Sequence, residues 1–270
     1  MVALVNYSDV EFRKSQGNLN RSAEKHHLSK IFSWTRSDLE NTLFFEENRK
    51  VLAEKKGSGL WAWKPFIILD ALDNIEENDI LVYSDSGVTI LSDLDPLYDK
   101  VREGCGILLF ANCNYLNRDW TKRDCFVLMN CDLPEYWNAR QVDAFFIVMR
   151  KCSFVENFIQ EWKDYCLMYE VISGSPNTCG LENIPGFREH RHDQSVLSLL
   201  ACKHQIELFR APSQFGNHYK MPSLRTRGEF SIRNHAEFSD YYSASPMMNS
   251  GYPTLLDHHR KKSDTRNQPA

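Results

Sequence analysis

The apolar run Ile80-Leu-Val-Tyr83 ends in Ser84-Asp85-Ser-Gly87, so a buried strand is expected to deliver one carboxylate to its carboxyl end. A hard divalent ion takes one or two protein carboxylates at such a place and fills its other positions with phosphate oxygens and water. Gly87 would let backbone approach that ligand closely, although Asp and Gly are also ordinary turn formers. Lys64 stands directly before Pro65, where a cation and the free N–H groups of a helix start together favour an anion such as a diphosphate. Trp61 and Trp63 precede it and could pack in the core or stack on a ligand. A third cluster, His190-Arg-His192-Asp193-Gln194, supplies groups for proton transfer or sugar hydrogen bonding. Asp193 would also suit the cap of the helix that follows. His218, in the polar stretch Gly216-Asn-His-Tyr219, could complete a metal site or lie on the surface.

Other chemistries lack their residues. No G-x-x-x-x-G-K-S/T phosphate loop, no G-x-G-x-x-G after the first strand and no G-x-S-x-G elbow is present. The eight cysteines include no C-x-x-C pair, which argues against structural zinc and for reduced thiols. A formal net charge of -4 gives no reason to expect nucleic acid as a partner. There is no basic leader and no apolar segment long enough to span a bilayer, so a cytoplasmic protein without a membrane span is expected.

These groups need a scaffold, and the pattern is that of an α/β protein. Strands are expected at Val2–Tyr7, Ile80–Tyr83, Gly106–Phe110, Val142–Met149 and Ile206–Phe209. Ser8–Gln16 reads as the first loop. Helices are expected around Arg21–Phe32, over Ser37–Ala53, from Pro65 to Ile75, over Ser153–Met168 and after Asp193. The Gly-, Pro-, Ser- and Asn-rich stretch Ser173–Gly186 is long enough to be a lid or disordered. The expected organisation is one domain over 1–242 and a poorly ordered tail over 243–270, where periodicity is lost.

Taken in order, Gly59-Leu-Trp61-Ala-Trp63-Lys64-Pro65, Tyr83-Ser84-Asp85-Ser-Gly87 and His190-Arg-His192-Asp193-Gln194-Ser195 resemble the metal-dependent nucleotide-sugar glycosyltransferases of the GT-A fold. More narrowly, the chain looks like small bacterial and large-DNA-virus members acting on capsular or surface glycans. The resemblance covers roughly Val2 to Tyr219. It implies a single GT-A-like (Rossmann-like) α/β/α sandwich with a mixed, mostly parallel central sheet. It further implies transfer of a sugar from a nucleotide-sugar donor, UDP-linked, to a glycan acceptor, with Mn2+ or Mg2+ as cofactor. Tyr7, Trp63, Lys64, Tyr83, Ser84, Asp85 and Gln194 would then bind donor, Asp85 and His218 would hold the ion, and Asp193 with His192 would serve catalysis. The sequence departs from the family's D-x-D motif in having Tyr83 where the first acid stands, which makes a second metal ligand from elsewhere more necessary. A sugar nucleotidyltransferase and a non-catalytic carbohydrate-binding relative are the alternatives.

Overall fold

Strands Val2–Ser8 (β1) and Ile80–Ser84 (β3) are buried on both faces, as the apolar runs Val2–Val5 and Ile80–Tyr83 require of central strands. A computed structural model describes residues 1–217 and 249–259. The other strands are Lys30–Thr35 (β2), Val88–Ile90 (β4), Ile107–Leu116 (β5), Arg140–Arg150 (β6), Leu208–Arg210 (β7) and Leu256–His258 (β8). Six of them form a sheet in the order β2-β1-β3-β6-β5-β7. The β1–β2, β1–β3 and β5–β7 pairs are parallel, while β6 runs antiparallel to both its neighbours. The sheet is therefore mixed and mostly parallel, as expected.

Five helices of nine residues or more cover it: Arg13–Lys25 (α1), Lys64–Asp73 (α2), Asp95–Glu103 (α3), Ser153–Leu167 (α4) and Asp193–Lys203 (α5). Alternation along the strands divides the core in two. Ala3, Val5, Tyr7, Leu81 and Tyr83 face α2, α4 and α5, with Trp162 at the centre of that layer. Leu4, Ile80 and Val82 face α1, α3 and the β4–β8 pair. The result is an α/β/α sandwich.

Several local expectations shift. The helix expected around Arg21–Phe32 is instead α1, which begins at Arg13 inside the expected loop and ends at Lys25. Its second half is β2, because Lys30 to Thr35 pair along the edge of β1. Ser37–Ala53 is three short helices, Arg36–Glu40, Leu43–Glu47 and Arg49–Leu52. Thr35 and Thr42 cap the first two by accepting from the amides of Asp38 and Asp38's counterpart in the next turn, Phe45. Within 243–270, residues 249–259 are packed on the fold: Arg210 Nη2 donates to the Ser250 carbonyl at 2.7 Å, and β8 pairs antiparallel with β4. Among the described residues no helix is long and apolar enough to cross a membrane.

Candidate active site

All the parallel strands point their carboxyl ends to one edge, and β6, running the other way, starts there. Between Leu108 and Phe110 the β5–β6 register jumps, so that Val148 is followed as a partner by Asp143. This bulge releases the Ala144 carbonyl from the ladder. Lys64 Nζ, at the first position of α2, donates to that carbonyl at 2.8 Å. The same ammonium lies 2.7 Å from Asp193 Oδ2, at the first position of α5, and 3.7 Å from Asp85 Oδ1, just beyond β3. Two helix starts and one strand end thus converge on a single cation.

The environment of this cation is dry. Lys64 is 2 % exposed and Asp193 4 %, whereas the Asp85 side chain is 36 % exposed. Burial pushes the Asp193 carboxyl up to about 6, against the pull of Lys64. For Lys64, burial alone would lower the pKa, but the charges of Asp193 and Asp85 outweigh it and the ammonium is held above its ordinary value. Tyr83, fully buried, donates its hydroxyl to Asp85 Oδ1 at 2.6 Å. Burial and the Asp85 charge hold that phenol protonated, so it remains a donor. Trp162 Nε1 donates to the Asp193 carbonyl at 3.0 Å, and the helix start further favours the Asp193 carboxylate. Lys64 is consequently a buried strut between two acids; a diphosphate would meet Asp85, the exposed member, before it met the ammonium.

Beside this centre, at the end of β1, Tyr7 stacks on Trp63 with ring centroids 3.9 Å apart. Tyr7 donates its hydroxyl to Asp9 Oδ1 at 2.9 Å, and Ser58 donates to the other oxygen of the same carboxylate. Gly57, Ser58, Gly59, Leu60 and Trp61 all have positive φ. Bonds from Leu60 N to Lys56 O at 2.8 Å and from Trp61 N to Gly57 O at 3.2 Å close them into one left-handed turn. Each non-glycine residue so placed costs about 1–2 kcal/mol. A side chain at Gly59 would also meet the Leu52 backbone at 2.7 Å. The turn is held by Arg36 Nη1 on the Ser58 and Leu52 carbonyls and by Trp63 Nε1 on the Gly57 carbonyl. Strain of this kind belongs to positions that the surroundings over-determine.

His192 does not join the Lys64 cluster through its ring. Its Nδ1 donates to the Ile172 carbonyl at 2.8 Å, and its ring lies 5.7 Å from Trp61 and 5.4 Å from His190. Burial lowers its pKa, so the ring is neutral and its buried Nε2 is an acceptor without a partner. Gln194 Nε2 donates to Gln141 Oε1 at 2.8 Å, and Gln141 Nε2 to Thr121 Oγ1 at 3.1 Å, a polar chain leading away from Asp193. Ser84 is fully buried and its hydroxyl turns to the Asp85 carbonyl. The loop from Ser173 is pinned by Asp124, which accepts from the Thr178 and Cys179 amides at 2.9 and 2.8 Å and is ion-paired at 3.1 Å with buried Lys122.

His218 lies outside the described residues. Sequence reasoning missed two other histidines: β8 brings His258 opposite Val88, its ring stacked 4.2 Å from Phe145, and His259 N donates to the Gly87 carbonyl at 2.8 Å. The signal for them was faint, a buried Leu255-Leu256 pair ahead of them in a polar stretch. Among the described residues no three His, Cys, Asp or Glu side chains converge as a metal cage. Asp85 offers one half-exposed carboxylate oxygen set, which fits a hard ion that takes most of its ligands from a diphosphate and water.

No protein-family model matches the chain, and no curated protein sequence does. Solved structures similar to it include glycosyltransferases. Mouse xyloside xylosyltransferase 1 is 9% identical over 100% of both chains, with a TM-score of 0.48. The bifunctional WbbM is 12% identical over 97% of this chain and 46% of its own, with a TM-score of 0.48. An active-site mutant of LgtC is 12% identical over 96% of this chain and 87% of its own, with a TM-score of 0.46.

Proposed function

We propose that the chain is a metal-dependent glycosyltransferase that moves a sugar from a UDP-linked donor to a glycan acceptor. The observation that carries this reading is the convergence of Asp85, Lys64 and Asp193 at the carboxyl edge of the sheet, one acid exposed and one buried, 3.7 and 2.7 Å from the same ammonium. Asp85 is the residue that would hold Mn2+ or Mg2+, with His218 as a further ligand. Such an ion neutralises the negative charge that develops on a departing nucleoside diphosphate, more in the transition state than in the ground state.

The chain's own residues divide the remaining work. Tyr83 fixes one oxygen of Asp85 and leaves the other to face the donor. The buried Tyr7–Trp63 stack fixes the end of β1 and holds Asp9, half-buried beside it, as a hydrogen-bond acceptor for a nucleobase. Lys64 acts as a positioning residue: it sets the distance between the two acids and keeps Asp193 ionised. At neutral pH a carboxylate whose pKa has been pushed up to about 6 is a better base than an ordinary one. Asp193 can therefore take the acceptor hydroxyl proton if the reaction inverts, or support positive charge on the donor sugar if it retains.

The test is release of UDP from a panel of UDP-sugars with Mn2+ and with chelator. Wild type should turn over at least one donor only with metal. Asp85→Ala should abolish turnover, and Asp193→Asn should lose about 100-fold or more in kcat with donor binding preserved. Equal, metal-independent turnover in wild type and Asp85→Ala would refute the reading.

A further inference from the structure

Trp120, just beyond β5, carries two guanidinium groups. Arg191 Cζ lies 4.3 Å from its ring centroid and Arg188 Cζ 5.7 Å. The Tyr115 ring packs 4.4 Å from the Trp120 ring, tilted by 33°, and Arg191 lies 5.7 Å from Tyr115 as well. The backbone fixes this group: Arg191 N donates to the Trp120 carbonyl at 3.0 Å, Arg188 N to the Asp119 carbonyl at 2.8 Å, and Ser195 Oγ to the Trp120 carbonyl at 2.7 Å.

The neighbouring acids make their close pairs with other bases, although the charge of Arg191 also reaches Glu189. Glu189 pairs with Lys56 at 2.7 Å, and Asp119 faces Arg118 at 3.7 Å. Neither Arg188 nor Arg191 has an ion-pair partner among the described residues, and Arg191 Nε is buried without an acceptor. A buried donor left without an acceptor is costly, and two guanidinium groups crowded on one indole repel each other. Cation–π contact orients guanidinium forks while leaving their N–H edges for a planar or tetrahedral anion.

The position says what would bring that anion. Arg191 precedes His192-Asp193, and Gln194 N donates to the Arg191 carbonyl at 3.1 Å, so the Arg191 backbone leads directly into the helix start that carries Asp193. We infer that Arg188 and Arg191, set on Trp120 and Tyr115, bind an acidic group on the glycan acceptor, either a uronate carboxylate or a phosphate ester. This rests on the glycosyl-transfer reading above.

The experiment is calorimetric titration of the full chain, at low ionic strength, with a glucuronate-containing disaccharide, with its neutral methyl ester, and with a 6-phosphorylated disaccharide. UDP release from UDP-sugars is measured on the wild type in parallel. At least one acid should bind about tenfold more tightly than the methyl ester, and the tighter of the two identifies the acid. Arg188→Gln, at an exposed position, should lose most of that preference, as should Arg191→Gln. Equal binding of all three sugars, binding of none, or a preference unchanged in Arg188→Gln would overturn the inference. UDP release without the preference sinks acid recognition alone, whereas the preference without UDP release sinks sugar transfer and leaves acid recognition standing.

Discussion

Replacing Lys64 with methionine, similar in length and uncharged, tests whether the buried strut is what sets the site. The substitution leaves Asp193, 4 % exposed, without its 2.7 Å partner. Removing one member of a buried ion pair costs about 3–5 kcal/mol, a large part of the ~5–15 kcal/mol that stabilises a domain. The cost should depend on pH in a definite direction. The folded-state pKa of Asp193 already lies above its ordinary 3.8, at about 6. Its protonated form is therefore favoured by folding: that contribution is full below about pH 4 and is lost as pH rises through 6. Without Lys64 the folded pKa moves higher still, so the variant should regain stability on acidification from pH 7.5 to 5. Urea unfolding followed by tryptophan fluorescence at the two pH values measures this, with Trp162 bonded to the Asp193 carbonyl as a local reporter. The double variant Lys64→Met/Asp193→Leu should recover much of the loss at pH 7.5, because no charge remains buried. A loss independent of pH, or a double variant no more stable than the single one, would refute this account of the cluster.

Three further outcomes follow from hydrogen bonds described above. Tyr83→Phe removes the 2.6 Å bond to Asp85 Oδ1 without changing the ring's packing, and should lower kcat/KM for donor turnover about tenfold while leaving the fold intact by circular dichroism. Asp124→Ala removes the acceptor that holds the Thr178 and Cys179 amides, and hydrogen exchange at 178–179 should accelerate while β1 and β3 stay protected. In wild type, hydrogen bonds and Lys122 outweigh burial and hold Asp124 at about 2, so protection of the loop should persist above pH 4 and fade as pH falls toward 2.

The parts of the site legible in the sequence are those set by local pattern. An apolar run buried on both faces has to be a central strand, so the position of Asp85 followed from Ile80–Tyr83. Pro65 marked the start of α2, and the apolar side of α5 placed Asp193 at its first turn. The edge strand β2 was hidden because Ile31, Phe32 and Trp34 extend the helical spacing of α1, and only pairing with β1 decides between the two. The depth of Lys64 was equally hidden. A lysine ahead of a proline looks solvated until a bulge 80 residues away in sequence turns the Ala144 carbonyl toward it. His258 and His259 escaped for the same reason, since three residues gain strand character only from β4.

The β4–β8 ladder ties the backbone immediately after Asp85 to residues near the far end of the described chain. The two partners are separated by most of the sequence, so this contact is among the last that loop-closure entropy allows to form. During synthesis, β1, β3 and the left-handed turn can all be present while the segment beside Asp85 still lacks its neighbour. A chain ended before β8 would carry Lys64, Asp85 and Asp193 but leave the Val88–Ile90 backbone beside Asp85 unpaired.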